Sequence, residues 1–406
     1  TRGSQAYIFS ERIPLSMNIL YLSWTENSAP DMIETLQQLG HNVCAQLHEL
    51  SFYFSDALLP SLQQVFASQS FDCIFTFNFI PPVSNIAESI QIPYICWVYD
   101  CPHVTLYSDS LRNSCSYIFL FDRNMQQDAV MHGALHAYHL PLAINADRLA
   151  SHLSLSGSRD TFFPTTYRHE VSFVGSLYEK TTFEHLKNVP PHLKGYLDGI
   201  IAAQKQVWGA DVISAALSPD HVNEIYQALP FTRSAGEFIT PKDVYTGVIQ
   251  KQVTSEERIS LLNAITNVAP VALYSASDTS LCPKAAPMGI VSYTAEMPDI
   301  FHTTKINLNI TLRSITSGIP LRAIDILGCG GFLLSNYQPE LCEYFTPDVD
   351  FVYFEDPDDL AEKVTYYLSH EKEREDIAYH GYQTVTQNFS YPVQVSRMFE
   401  LFTSAL

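Results

Sequence analysis

Short, almost wholly apolar runs alternate with longer amphipathic stretches along most of this chain. Runs at 18–23 (NILYLS), 42–47, 71–77, 94–99 and 117–121 predict strands buried on both faces, because no polar alternation interrupts them. Helical spacing fills the gaps at 30–39, 54–68, 82–90 and 124–132, with Gly40 closing the first. The alternation predicts a parallel sheet over 17–149, covered by helices on both faces. Residues 140–145 lead out of it, and the Ser- and Thr-rich stretch that follows predicts a linker, 150–169.

A second series begins at 171–174, where Gly175 and Ser176 turn the chain. Strands are predicted again at 271–275, 289–293, 306–310, 331–335 and 351–354, making 170–390 a second α/β domain. Between its first two strands lies a long helical stretch, 181–266, holding Pro190–Pro191 and acidic–aromatic runs. An insert of that size could serve acceptor contact or a homodimer contact, or could simply cap the sheet. Two amphipathic helices are predicted over 356–387, the first opening on acidic residues that suit a helix N-terminus. A final helix, 391–406, is placed to cross back to the first domain.

Composition narrows the classes. The 406 residues suffice for two domains with their own cores, and 46% hydrophobic with 16% charged residues describes a globular chain. A net charge of −20 opposes nucleic acid and anionic lipid surfaces. No apolar run nears the roughly 18 residues of a membrane span. The opening TRGSQAYIFSERIPLS reads as a short arm over 1–16, with Thr1–Ser4 like a cloning remnant and no secretory pattern, which points to the cytoplasm. None of the eight cysteines forms a CxxC pair, and several sit inside strand patterns, so they read as reduced, buried hydrophobes. No metal site is expected.

The richest stretch is 305–345, KINLNITLRSITSGIPLRAIDILGCGGFLLSNYQPELCEYF. It predicts a strand, a polar loop ending at Gly318, a short helix opened by Pro320, and a strand after Gly330–Gly331. Backbone N–H groups at Ser317, Gly318 and beyond would point out of a helix start, where they favour phosphate. Arg313 and Arg322 flank that point, and Asp325 follows one turn later. A phosphate cradle, two guanidiniums and a carboxylate for ribose hydroxyls describe a nucleotide-sugar site. An ordinary strand–helix–strand unit with solvated arginines has the same spacing.

The run PLRAIDILGCGGFLLSNYQPEL resembles the donor-binding half of GT-B glycosyltransferases, in the "glycosyl transferases group 1"-like family that includes spore-maturation glycosyltransferases. The likeness extends from VSFVGSLYEK at Val171 to about Tyr391, and the N-terminal half resembles the domain of unknown function often fused to it. The resemblance implies two Rossmann-like domains facing a cleft and a nucleotide-sugar donor, with uridine the expected nucleoside. It implies no metal, because basic residues and the helix start hold the diphosphate. Its donor contacts would be Gly175, Tyr293, Lys305, Arg313, Ser317, Gly318, Arg322, Asp325, Asn336 and Tyr337. Tyr293 would stack on the base, Asp325 would hold the ribose, and Asn336 and Tyr337 would meet sugar or phosphate. Lys305 could equally be a solvated strand-edge lysine, and Tyr293 sheet-end core. Ser317 stands where retaining relatives carry a glutamate eight positions before a second acid, so the resemblance fixes no stereochemistry.

The first domain would then supply the acceptor side. In WVYDCPH, Asp100 and His103 lie just past a strand, where α/β sheets place ligands, and either could take a proton from an acceptor hydroxyl. Glu26, past the first strand, points into the same cleft. A strand-end aspartate can also be a mere turn residue or cap. The first strand lacks a GxGxxG loop, and Asp348–Val–Asp350 matches the metal-binding DxD pattern only by chance in an acid-rich chain. The expected activity is glycosyl transfer to a hydroxyl or other nucleophile on a protein or glycan. A non-catalytic donor-binding or stabilising partner of another transferase is the alternative.

Overall fold

The computed structural model describes residues 16–155, 159–186 and 189–406. Nearly all of the predicted N-terminal arm lies outside them. The first six strands are β1 (Asn18–Ser23), β2 (Asn42–Leu47), β3 (Cys73–Phe77), β4 (Tyr94–Val98), β5 (Ser116–Leu120) and β6 (His136–His139). They form one sheet in the order β2-β1-β3-β4-β5-β6, with every ladder parallel. β3, β4 and β5 are buried along their whole length, as uninterrupted apolar runs require when helices cover both faces. β6 was not predicted. Its sequence HAYH is half-buried throughout, because an edge strand needs no continuous apolar run.

The second sheet contains β7 (His169–Val174), β8 (Val271–Tyr274), β9 (Ala286–Pro287), β10 (Thr304–Asn309), β11 (Leu333–Asn336) and β12 (Val352–Phe354). Its order is β12-β11-β10-β7-β8-β9, again wholly parallel. The strand expected at 289–293 is absent. Gly289 turns the chain at φ 82°, Ile290 is exposed, and the edge strand falls earlier, at Ala286–Pro287. Proline, lacking an N–H, is tolerated there because the ladder ends.

The two sheets share an apolar seam. One continuous core joins Phe75, Trp97 and Phe119 of the first domain to Ile324, Leu327 and Phe389 of the second. The final helix, Tyr391–Ala405, returns to the first domain, where Phe399 stacks on His41 at 4.6 Å and Phe402 meets Tyr117 at 4.8 Å. The long insert holds helices Pro191–Lys205, Val212–Ala216, Pro219–Ala228 and Pro241–Ile265 around its own small core. Its loop at Gly236–Phe238 clasps the first domain. Asp109 N–H donates to the Gly236 carbonyl (2.7 Å), and Phe238 N–H to that of Tyr107 (2.8 Å). No described helix is long and apolar enough to cross a membrane.

Candidate functional site

Strands of both parallel sheets end toward the seam, and the loops beyond those ends carry most of the predicted site. Asp325 sits on the helix Leu321–Gly328, which follows β10. It is 5% exposed, accepts from the Tyr293 hydroxyl on Oδ1 (2.9 Å), and lies 3.4 Å from Arg322 Nη1 on Oδ2. Burial pushes its carboxyl up to about 6, against the pull of Arg322 and the Tyr293 hydroxyl. Arg322 also reaches the Met297 sulfur and lies over the Phe301 ring. A cavity of about 10 Å³ borders Asp325, Arg148, Tyr293 and Cys329, enough for roughly one water. A ribose therefore enters only if the seam opens. Tyr293 precedes the helix Met297–His302 in a turn, and its hydroxyl fixes Asp325, so its ring is not free to move onto a base.

The phosphate cradle is already filled by the chain itself. Ser317 N–H and Gly318 N–H both donate to Asp122 Oδ2, at 2.9 and 2.8 Å. Asp122 follows β5, and its other oxygen caps the helix Arg123–Met131 through Met125 N–H (3.0 Å). Pro320 is the residue before the helix rather than its first, with φ −66° and ψ 143°. Around this point the domains interlock. Ser317 Oγ donates to Glu340 Oε1 (2.7 Å), Arg123 N–H donates to the same atom (2.9 Å), and His139 Nε2 meets Oε2 (2.7 Å). Burial raises the Glu340 carboxyl, and these bonds more than offset it, leaving it below the usual carboxylate range. The Arg123 guanidinium adds a fork on Glu343. A Cβ on Gly318 would lie 2.8 Å from both Asp122 Cα and Cβ. Gly318→Ala is therefore expected to spread this junction and cost about 1–3 kcal/mol, read as a lowered urea midpoint.

Several predicted contacts are corrected by position. Lys305 is the second residue of β10, at the end of the sheet away from the seam, where it lies 4.0 Å from Glu170. Arg313 is buried, forked onto Glu257 (Nε to Oε2, 2.7 Å; Nη2 to Oε1), bonded to the Val207 carbonyl, and stacked on Trp208. It has no face left for phosphate. Burial outweighs the guanidinium and keeps the Glu257 carboxyl above its ordinary range. Asn336 is buried and ties two loops, accepting from Thr311 N–H (2.7 Å) and donating to the Tyr337 carbonyl. Tyr337 packs on Tyr353 and beside Gly209 of the insert. Gly175 does lie at the mouth, just past β7.

In the first domain, Glu26 is satisfied internally by the Tyr21 hydroxyl (2.6 Å), Ser23 Oγ (3.1 Å) and Trp24 N–H (2.8 Å). A carboxylate so occupied shapes a loop and has no free oxygen to offer an acceptor. His103 Nε2 is held between Phe79 backbone and Thr105 Oγ1, and burial lowers its basicity. Asp100 differs. It is exposed, Asn78 Nδ2 holds only its Oδ2 (2.7 Å), and the next residue is pinned across the seam. Cys101 Sγ donates to the Ser314 carbonyl (3.0 Å), and Ser314 Oγ donates to that of Cys101 (2.9 Å). Asp350, from the DxD pattern, accepts from Thr346 N–H and the Thr384 hydroxyl in a turn. Among the described residues, no three His, Cys, Asp or Glu side chains are placed to share a metal ion.

Asp122, His139 and Arg258, which the fold brings to this region, were not singled out in the sequence. FLFDRN carries the same strand-end acid as VYDCPH, so Asp122 was legible. Arg258 sits on the apolar face of its helix, in step with Thr254, Leu261, Leu262 and Ile265, the signature of a buried cation.

Two Rossmann-like parallel sheets, strand ends meeting at one cleft and a last helix crossing back, define the GT-B fold. Residues 265–400, which include Asp325 and its loop, match the family described as "Glycosyl transferase-like". In structure the chain is similar to Anabaena Alr3699/HepE in complex with UDP and glucose, with TM-score 0.54 and 9% identity over 96% of this chain and 100% of that one. It is also similar to the sucrose-phosphate synthase (tll1590) of Thermosynechococcus elongatus, with TM-score 0.51 and 11% identity over 96% and 100%. A glycosyltransferase from Rickettsia africae ESF-5 gives TM-score 0.50 and 11% identity over 97% and 99%. At such identities the likeness is one of fold. No curated protein matches the chain in sequence.

Proposed function

We propose that the chain is a glycosyltransferase that moves a sugar from a nucleoside diphosphate sugar to a hydroxyl or other nucleophile on a protein or glycan. The observation that carries this reading is Asp325: a buried carboxylate at the seam, oriented by Tyr293 and Arg322, inside the matched segment. It would accept both ribose hydroxyls. Uridine is favoured as the nucleoside by the UDP complex of the similarly folded Anabaena protein. Arg322 stands one turn before Asp325, and its charge would stabilise the departing diphosphate without a metal.

In the reaction, Asp100 Oδ1 would take the proton of the acceptor hydroxyl. The acceptor oxygen then bonds to the anomeric carbon as the bond to phosphate breaks, and the diphosphate leaves with the electron pair. Incubation with UDP-sugars and an acceptor mixture, read as UDP release, tests the reading; no release with any donor argues against it. Asp100→Asn is expected to keep UDP affinity within about twofold while slowing transfer by about 100-fold or more. Equal loss of UDP binding would remove Asp100 from the base role.

The Asp122 carboxylate on the Ser317 and Gly318 N–H groups favours a second reading, a donor-binding or stabilising partner of another transferase. UDP binding without release under any acceptor mixture is its expected signature.

A further inference from the structure

The second sheet reverses its direction of growth at β7: β8 and β9 extend to one side, β10 and β11 to the other. Open parallel sheets hold ligands outside the carboxyl ends of the strands at such a reversal. One guanidinium occupies that point. Arg258, on the helix Pro241–Ile265, donates from Nη1 to the Ser176 carbonyl (2.6 Å), just past β7. From Nε (3.0 Å) and Nη2 it donates to the Ile310 carbonyl, just past β10.

Its surroundings supply dipoles, rings and the Tyr178 hydroxyl, with Glu257 as a nearby charge that is not ion-paired to it. The Phe173 and Tyr178 rings lie 5.3 and 5.2 Å away, and the adjacent Glu257 carboxylate is committed to Arg313. Among the described residues no carboxylate lies within ion-pairing distance of Arg258, whereas Arg313, Arg322 and Arg148 each have one. A buried cation held by carbonyls and the Tyr178 hydroxyl without an ion-paired carboxylate is costly, and burial, with the field of Arg322, outweighs the pull of Tyr178 and Glu257 and pushes this guanidinium down to about 10. An anion at the mouth would relieve that cost. Gly175 stands beside it: a Cβ there would lie 3.7 Å from Arg258 Nη1 and 3.3 Å from the Phe173 ring, so the bare backbone keeps this approach as open as it can be.

We propose that Arg258, not Arg313, joins Arg322 as a guanidinium that meets the diphosphate of the sugar donor, at the mouth between β7 and β10. This rests on the nucleotide-sugar reading above and names the residue that the diphosphate selects. Calorimetric titration of the full chain with UDP, uridine and inorganic pyrophosphate tests it. Arg258→Met is expected to weaken UDP and pyrophosphate by about 30-fold while leaving uridine unchanged. Arg258→Lys keeps the charge but not the fork, and is expected to lose about tenfold; it carries the test if the methionine variant does not fold. Unchanged UDP affinity in the folded lysine variant overturns the assignment and leaves the nucleotide-sugar reading intact. Parallel loss of uridine affinity marks Arg258 as a structural residue and also overturns it. A wild-type chain that binds neither UDP nor pyrophosphate removes both readings together.

Discussion

Asp325→Ala is expected to weaken UDP binding by about 100-fold while the chain stays folded, because two charge-assisted hydrogen bonds to ribose are lost. Calorimetry with UDP reads it, and wild-type affinity in the variant would remove Asp325 from the site. The same carboxylate predicts a pH dependence. Its folded value is about 6 against a reference of 3.8, so the ionised form that accepts from ribose fills as pH rises through 6. UDP affinity should therefore increase between pH 5 and 7. Folding runs the other way. A raised acid contributes stability fully below its unfolded value and loses it as pH climbs through the folded one, here by about 3 kcal/mol at most. Asp325→Asn, which never ionises, should gain stability relative to wild type between pH 4 and 7 in urea titrations. A gain toward acid instead would contradict the burial of this group.

Arg313→Met carries the largest expected stability loss. It leaves the Glu257 carboxylate buried without its fork and removes the stack on Trp208, a change of about 3–5 kcal/mol. Replacing both partners, Glu257→Leu with Arg313→Met, should recover most of it, since two apolar side chains leave no unpaired charge. Urea denaturation of the single and double variants separates these outcomes. A mild single-variant effect would mean that the pair is solvated, contrary to its position. UDP affinity in any folded Arg313 variant is expected to stay near wild type, because that guanidinium faces the insert.

The alternation of apolar runs with helices made both sheets legible, down to the limits of β1 and β2. Where packing is two-sided, the residue types alone announce the strand. The edges were less legible: HAYH at β6 pairs on one side only, and Gly289 breaks the run taken for a strand at 289–293. At the site, spacing identified the loop of Ser317 and Gly318 and the helix of Arg322 and Asp325. It could not identify their partners, since Asp122 lies 195 positions from Ser317 and Glu257 lies 56 from Arg313. Charged residues near a helix start look alike in sequence whether they face solvent, ligand or a buried partner. Only the third dimension sorts Arg258 from Arg313. The corrected Lys305 shows the same limit, because strand direction, not composition, decides which end of β10 meets the seam.

The carboxylate of Asp122 resting on the Ser317 and Gly318 amides has a thermodynamic corollary. A phosphate reaching those amides swaps one anion for another, so its net gain there is a difference between two similar bonds. Departure of Asp122 also removes one of the ties between the end of β5 and the far half of the molecule, leaving those of Arg123. Ligand capture at this loop thereby carries the cost of loosening one contact between the halves, and a titration of the loop reports both terms.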